Sequence, residues 1–475
     1  MSQVKTVFKN MGWVTLSQIV TNICAFLWTI LIARYLGVTD YGILSFVISF
    51  TVLIGIGNDI GMTTFTTREL SRDRSRTQKF VNNILPFKII LSTIFLLFTV
   101  AVIYLLGYNN LIIEVTFLMY LETIVLGLFN FLCAVYQAHE NLKPTSISLI
   151  IYSVSLLIFT VIISFLDLGL VCVAFSYFFA YLLCLSYALY HFINIFGMPR
   201  FELDLIFWKK TLLSSVPFAL TTFFFTIYFS IDIVMISWLS GDYSTGIYNS
   251  AYKLISVFTA FYVVYQSVIF PLMSKLYSED TNLLKVSFEA SFKYSFLILL
   301  PICIGVYLYA PYIVTLIYSS QYALASAPMQ ILIWTVLFLF MNYVTTSLLN
   351  SIGKEVSVTK IYIVAAFFNI ILNYILIPKY SYIGASISTV LSEILILALM
   401  LFSISNTEYT VNRSLLIKLI KLMISGLILF VILDIINVSL WLAIPIGFVV
   451  YMVSLFITKS IDDTDRYIVK ELLNR

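Results

Sequence analysis

Apolar residues fall along this chain in long unbroken runs, separated by short polar connections. A hydrocarbon core about 30 Å thick takes about 20 apolar residues per crossing helix. On that measure the pattern predicts fourteen spans, at about 11–33, 41–61, 84–106, 112–135, 146–166, 169–190, 211–239, 246–274, 288–310, 327–349, 357–377, 383–404, 414–434 and 437–458. The runs are about twice the length of a barrel strand and lack strict alternation, so strands are excluded. The expected fold class is an all-α membrane protein. The first run is too long for a signal-peptide core and carries Gln18 and Asn22, so it reads as an uncleaved span.

Composition removes the soluble alternative. Of 475 residues, 61% are hydrophobic and 11% charged, where a soluble domain carries about a quarter charged. So much apolar surface has to face lipid. The formal charge of +4 is too small to indicate a nucleic-acid partner. The five cysteines all lie inside apolar runs without a CxxC pair, and His139 and His191 stand far apart. Neither a disulfide framework nor a zinc site is expected, and no cofactor is implied.

Charge placement tests the span count. With the N-terminus inside and fourteen crossings, 24 of the 27 Lys and Arg fall on the cytoplasmic side. Arg34 and Lys379 lie outside, and Lys253 lies within a span. A missed middle helix would move every later loop to the wrong side, so the positive-inside rule supports number and orientation together. Both termini are expected in the cytoplasm, and the plasma membrane is the expected location.

A repeat is also visible. The segment Leu31 to Ile43, running from span 1 into span 2, matches Met235 to Ile247, running from span 7 into span 8. At an offset of 204 residues, Gly37 meets Gly241 and Gly42 meets Gly246. Six spans per unit give two halves of parallel topology about an axis along the membrane normal. The expected organisation is an N-lobe at 1–200, a C-lobe at 201–405, and two further spans with a cytoplasmic tail at 406–475.

Several motifs together resemble a known family. Ala33-Arg-Tyr-Leu-Gly-Val-Thr-Asp-Tyr-Gly42 resembles the first-loop signature of polysaccharide flippases, a branch of the multidrug/oligosaccharidyl-lipid/polysaccharide (MOP) exporter superfamily. Asn58-Asp-Ile-Gly61 resembles the family's second-helix ending. Further matches follow in order: Ile231-Asp-Ile-Val-Met235, Gly246 to Leu254, Pro271 to Leu276, Tyr309 to Tyr322, and Asn369 to Pro378 with Ile383-Gly-Ala385. The loop ending in Gln321-Tyr322 departs from the pattern, carrying Ser where relatives often carry Gly. The resemblance implies a MATE-like arrangement of two six-helix lobes with pseudo-two-fold symmetry, plus two C-terminal helices. It also implies a flippase moving polyprenyl-pyrophosphate-linked oligosaccharide outward across the membrane. Membrane lipids and polysaccharide-assembly proteins are the partners this reading brings, with H+ or Na+ as a coupling ion.

Such cargo has an anionic pyrophosphate, a bulky polar sugar and an apolar tail, so its route needs cations, water and a side opening. Each charge at a helix centre costs about 2.5–3.5 kcal/mol on insertion scales, which makes intramembrane charges the best pointers. Lys253 and Asp232 both lie roughly 10 Å deep from the external side, on consecutive helices. Two readings stand: Lys253 contacts pyrophosphate or acidic sugar with Asp232 holding it, or the residues form a structural ion pair or snorkel. Arg34, at the external end of span 1, is a third substrate-binding candidate, with pairing to Asp40 as its structural alternative. Glu122 and Glu393 lie near the midplane without an in-span cation at that depth, and are candidates for carrying a coupling ion. Asp59 is expected to pair with Arg68 or Arg72.

Thr15, Gln18 and Asn22 on span 1, and Asn369 and Asn373 on span 11, make polar stripes that suit either a wet cavity or interhelical hydrogen bonds. The basic run Arg68, Arg72, Arg74, Arg76 and Lys79 reads as a topology determinant or as a patch for anionic lipid heads. Pro217, Pro271 and Pro301 are candidate kinks. The rival functions are a MATE-like drug or cation antiporter, and a membrane glycosyltransferase or polymerase. The extra C-terminal spans argue against the first. Short external loops without a DxD motif or a histidine argue against the second.

Overall fold

The computed structural model describes residues 2–405 and 407–460. The expected tail charges Arg466, Lys470 and Arg475 lie outside the described residues. Thirteen α-helices are described: α1 (Ser2–Gly55), α2 (Met62–Arg72), α3 (Thr77–Leu105), α4 (Asn110–Ala138), α5 (Lys143–Leu166), α6 (Gly169–Phe196), α7 (Leu205–Ser240), α8 (Asp242–Glu279), α9 (Thr281–Tyr318), α10 (Ser326–Ser351), α11 (Glu355–Ser405), α12 (Arg413–Ile436) and α13 (Leu440–Ile457). No strand occurs among the described residues.

Among these residues, eleven helical segments are long and apolar enough to cross a membrane. Two of them run 50 and 51 residues, enough for two crossings each. Each is interrupted by one non-helical residue, Gly37 in α1 and Ser381 in α11. Large apolar side chains such as Leu97, Phe165 and Leu427 stay exposed on these helices. In a bilayer that is the surface lipid covers, so the outward faces need no polar residues.

The chain divides into two compact units, Met1–Gly246 and Ile247–Arg475. In the first, α1 packs on α4, α5 and α6, while α2 lies against α4 and α7. Its core is built from large rings, including Phe80, Phe129, Phe131, Tyr136 and Phe192, all at most 2% exposed. In the second, α10 packs on α9 and α11, and α12 and α13 pack together and on α9. Leu300, Ile304, Leu422, Leu429 and Tyr451 form a core there.

The repeat has a backbone counterpart. Gly37 sits at φ 74°, ψ 178°, and Gly241, 204 residues on, sits at φ 83°, ψ 172°. This region of backbone space is essentially restricted to glycine, so the two repeat segments turn in the same way for the same reason. Five residues beyond each turn the helices meet within the first unit. A Cβ placed on Gly42 would lie 1.8 Å from Asp242 O, and one on Gly246 would lie 2.0 Å from Val38 O. Asp242 is itself 204 residues beyond Val38, so the contact is reciprocal.

Candidate functional site

In the first unit, Glu122 lies buried near the middle of α4, 8% exposed. Its Oε2 is 3.3 Å from the hydroxyl of Thr123, which also donates to Met119 O at 3.0 Å. Around it stand rings from three other helices. The α1 indole of Trp28 packs edge-on to Tyr152 of α5 at 5.7 Å, with Tyr177 of α6 beside it. Tyr152 stacks on Tyr181 at 3.9 Å, and all three phenols lie within electrostatic range of the carboxyl. The result is one acidic group in an aromatic chamber. Arg34 is exposed on α1, three residues before the Gly37 turn, and Asp232 is buried on α7 between apolar neighbours.

Asp59 corrects an expectation. Its partner is Lys88 of α3, not Arg68 or Arg72. The Lys88 side chain is 1% exposed, and its ammonium also approaches Thr63 Oγ1 at 3.4 Å. The Asp59 carboxylate accepts the Thr63 backbone N–H as well, at 3.2 Å, where the chain turns into α2. A buried ammonium needs a close counter-charge. The exposed arginines instead gather on Glu69. Beside this pair, Asn58 Oδ1 accepts the Tyr120 hydroxyl at 2.7 Å.

In the second unit, Glu393 of α11 is 5% exposed. Asn342 of α10 donates to its Oε2 at 2.7 Å and to its backbone carbonyl at 3.0 Å. Tyr262 and Tyr362 lie within electrostatic range of this carboxyl, and Tyr343 packs edge-on to Tyr262 at 5.1 Å. Each unit thus buries one carboxyl among tyrosines. Lys253 of α8 is exposed, between buried Ala251 and Leu254. Lys293 of α9 is 3% exposed, with its ammonium 5.9 Å from the Tyr294 ring. It lies 205 residues beyond Lys88, so each unit buries a lysine, one position off the 204-residue offset of the repeat. Neither was singled out from the sequence, although both stand a few residues inside expected spans.

The two polar stripes differ. Thr15, Gln18 and Asn22 are exposed on α1. Asn369 and Asn373 are buried, and Asn373 donates to Asn369 Oδ1 at 3.0 Å.

A cavity of about 610 Å³ opens within the second unit between α9, α12 and α13. Its walls include Leu297, Pro301, Val306, Leu433, Ala443 and Phe448. Two phenols reach it, but both hydroxyls are committed: Tyr309 donates to Val438 O at 2.9 Å and Tyr451 to Leu297 O at 3.0 Å. Gly305 and Gly447 also line it. The chamber offers a predominantly apolar surface, which suits hydrocarbon.

These features define a multi-pass helical membrane protein whose chain falls into two compact units. The solved lipid II flippase MurJ, in an inward closed conformation, has this fold with a TM-score of 0.75 at 15% identity, covering 94% of this chain and 98% of its own. An inward-facing multidrug MATE transporter gives a TM-score of 0.63 at 14% identity, covering 82% and 94%. The family model for polysaccharide biosynthesis proteins matches residues 7–277, more than half of the chain, and a MatE model matches 217–375. The chain therefore belongs to the polysaccharide biosynthesis protein family. Among its relatives, the capsular polysaccharide biosynthesis protein CapF of Staphylococcus aureus is 23% identical over 393 residues, 81% of this chain and 96% of its own. The uncharacterized membrane protein MJ1068 of Methanocaldococcus jannaschii is 31% identical over 162 residues, 34% of this chain; the match spans only 32% of that relative.

Proposed function

We propose that this protein is a flippase that carries polyprenyl-pyrophosphate-linked oligosaccharide from the cytoplasmic to the outer leaflet by alternating access. The observation that carries the reading is the apolar chamber between α9, α12 and α13. Those last two helices lie beyond the six-plus-six repeat. A soluble drug or cation has no use for a greasy slot at that place, whereas a lipid-linked cargo brings a long hydrocarbon tail that must lie somewhere while its headgroup crosses. CapF, a relative along nearly its whole length, is a capsular polysaccharide biosynthesis protein. MurJ, with the same fold, is a lipid II flippase.

On this reading the chain crosses the plasma membrane fourteen times with both termini in the cytoplasm. Lys253 is the anchor for the pyrophosphate or an acidic sugar, Asp232 orients it, and Arg34 meets the headgroup near the outer face. The exposed stripe Thr15, Gln18 and Asn22 supports a hydrated route along α1. Glu122 and Glu393 carry the coupling ion. Polysaccharide-assembly proteins supply and consume the cargo.

The test is deletion in the native host, in a background without a redundant flippase. Lipid-linked glycan should accumulate on the cytoplasmic side, and Lys253→Ala should reproduce this at a normal protein level. Normal surface glycan in the deletion strain would end the proposal.

A further inference from the structure

The guanidinium groups of Arg68, Arg72 and Arg76 converge on one carboxylate. Glu69 takes Arg68 at 3.0 Å, Arg72 at 3.6 Å and Arg76 at 3.9 Å. Three positive charges meet one negative charge, so two remain uncompensated. Arg74 is not part of the cluster, because it pairs with Glu140 of the α4–α5 turn. The cluster is also held in place by rings. Arg68 lies between Phe65 and Phe218, at 5.2 and 5.3 Å, and Arg76 lies over Phe80 at 5.0 Å. Stacking on an aromatic face leaves the N–H edge of a guanidinium free to bind in its plane.

We propose that this cluster is a headgroup site for an anionic phospholipid of the leaflet on the N-terminal side of the membrane. The α2 helix is too short to span and buries Met62, Phe65 and Leu70, while the side chains of Arg68, Arg72 and Arg76 are 43%, 70% and 42% exposed. It therefore presents its arginines where a span gives way to water, at the depth of the lipid phosphates. A phosphodiester offers two oxygens with the spacing of a guanidinium edge. A surrounding leaflet supplies that group at high local concentration, and Glu69 fixes the arginines before it arrives. This inference stands apart from the transport reading.

The test uses the full-length protein in phosphatidylcholine nanodiscs with a titrated share of phosphatidylglycerol, with retained lipid counted by native mass spectrometry. Arg72→Gln/Arg76→Gln changes two exposed side chains, and thermal unfolding checks that the fold persists. Lys209→Gln/Lys210→Gln removes the same charge from exposed lysines at the start of α7. The arginine pair should weaken phosphatidylglycerol retention roughly thirtyfold, at about one kcal/mol per basic residue. The lysine pair should change it by less than about twofold. Equal losses in the two pairs would overturn the site by reducing it to net charge, and no loss in either would overturn it by showing that the arginines hold no lipid. Inorganic pyrophosphate at millimolar concentration should leave the lipid bound; its displacement of the lipid would assign the cluster to a soluble anion instead.

Discussion

Gly42 and Gly246 stand in each other's way by design: a Cβ on either would strike backbone contributed by the other's helix, Asp242 O at 1.8 Å and Val38 O at 2.0 Å. Each is the repeat counterpart of the other. Backbones can approach this closely only where no side chain intervenes, as at small-residue crossings in membranes. Gly42→Ala and Gly246→Ala should each destabilise the protein by about 1–3 kcal/mol, the usual cost of overpacking. Because both crowd the same crossing, a shift that makes room for one also makes room for the other, and the double variant should cost less than the two together. Thermal unfolding in detergent measures this, and full additivity would mean the crossing is not shared.

The Asp59–Lys88 pair makes a second prediction. Removing one partner of a buried ion pair leaves an uncompensated charge and typically costs about 3–5 kcal/mol. Asp59→Asn should therefore be strongly destabilising, because it strands the Lys88 ammonium, whose side chain is 1% exposed. Asp59→Asn/Lys88→Met should recover much of that loss. A double-mutant cycle on unfolding checks it, and a double variant as unstable as the sum of the singles would contradict the pairing.

Ser319 is a place where this chain can be improved. It caps α9 at φ 86°, ψ 173°, a backbone region that costs a residue with a side chain about 1–3 kcal/mol. Here a serine holds the conformation that glycine takes at Gly37 and Gly241. Ser319→Gly should stabilise the protein by about 1 kcal/mol, after the greater chain entropy of glycine is set against the relief. A fall in unfolding temperature would show that the serine side chain contributes more than its backbone strain.

The chamber of the second unit gives a functional prediction. A Cβ on Gly305 would meet nothing within 4 Å, so the position opens onto space rather than packed chain. Gly305→Leu should fill part of the 610 Å³ volume with little loss of stability. Transport of tailed cargo should fall at least tenfold. Unchanged transport in a correctly inserted variant would remove the chamber from the route.

Much of this was legible in the sequence, and the exceptions have physical causes. Gly37 and Gly241 could be matched because a turn that only glycine tolerates leaves a fixed letter behind. Lys88 and Lys293 were counted with the cytoplasmic charges, since hydropathy averages over a window and cannot tell a buried ammonium from one in a loop. The Asp59 partner was missed for a related reason: the arginines were nearer in sequence, but α3 folds back beside the turn. The ring chamber of Glu122 draws on α1, α5 and α6, and the Asn342 partner of Glu393 lies 51 residues away. Packing between helices decides such contacts, and no periodicity along one helix reports them.

Everything functional depends on a headgroup crossing through a polar interior while its tail stays in grease. The direct measurement is made in proteoliposomes holding the purified protein and a fluorescent polyprenyl-pyrophosphate oligosaccharide, with a membrane-impermeant quencher reporting leaflet exchange. Wild type should move the probe between leaflets, Lys253→Ala should slow it at least tenfold, and the same sugar without its lipid should not move. No exchange by the wild-type protein, alongside export of an organic cation dye, would contradict the account and favour a drug antiporter.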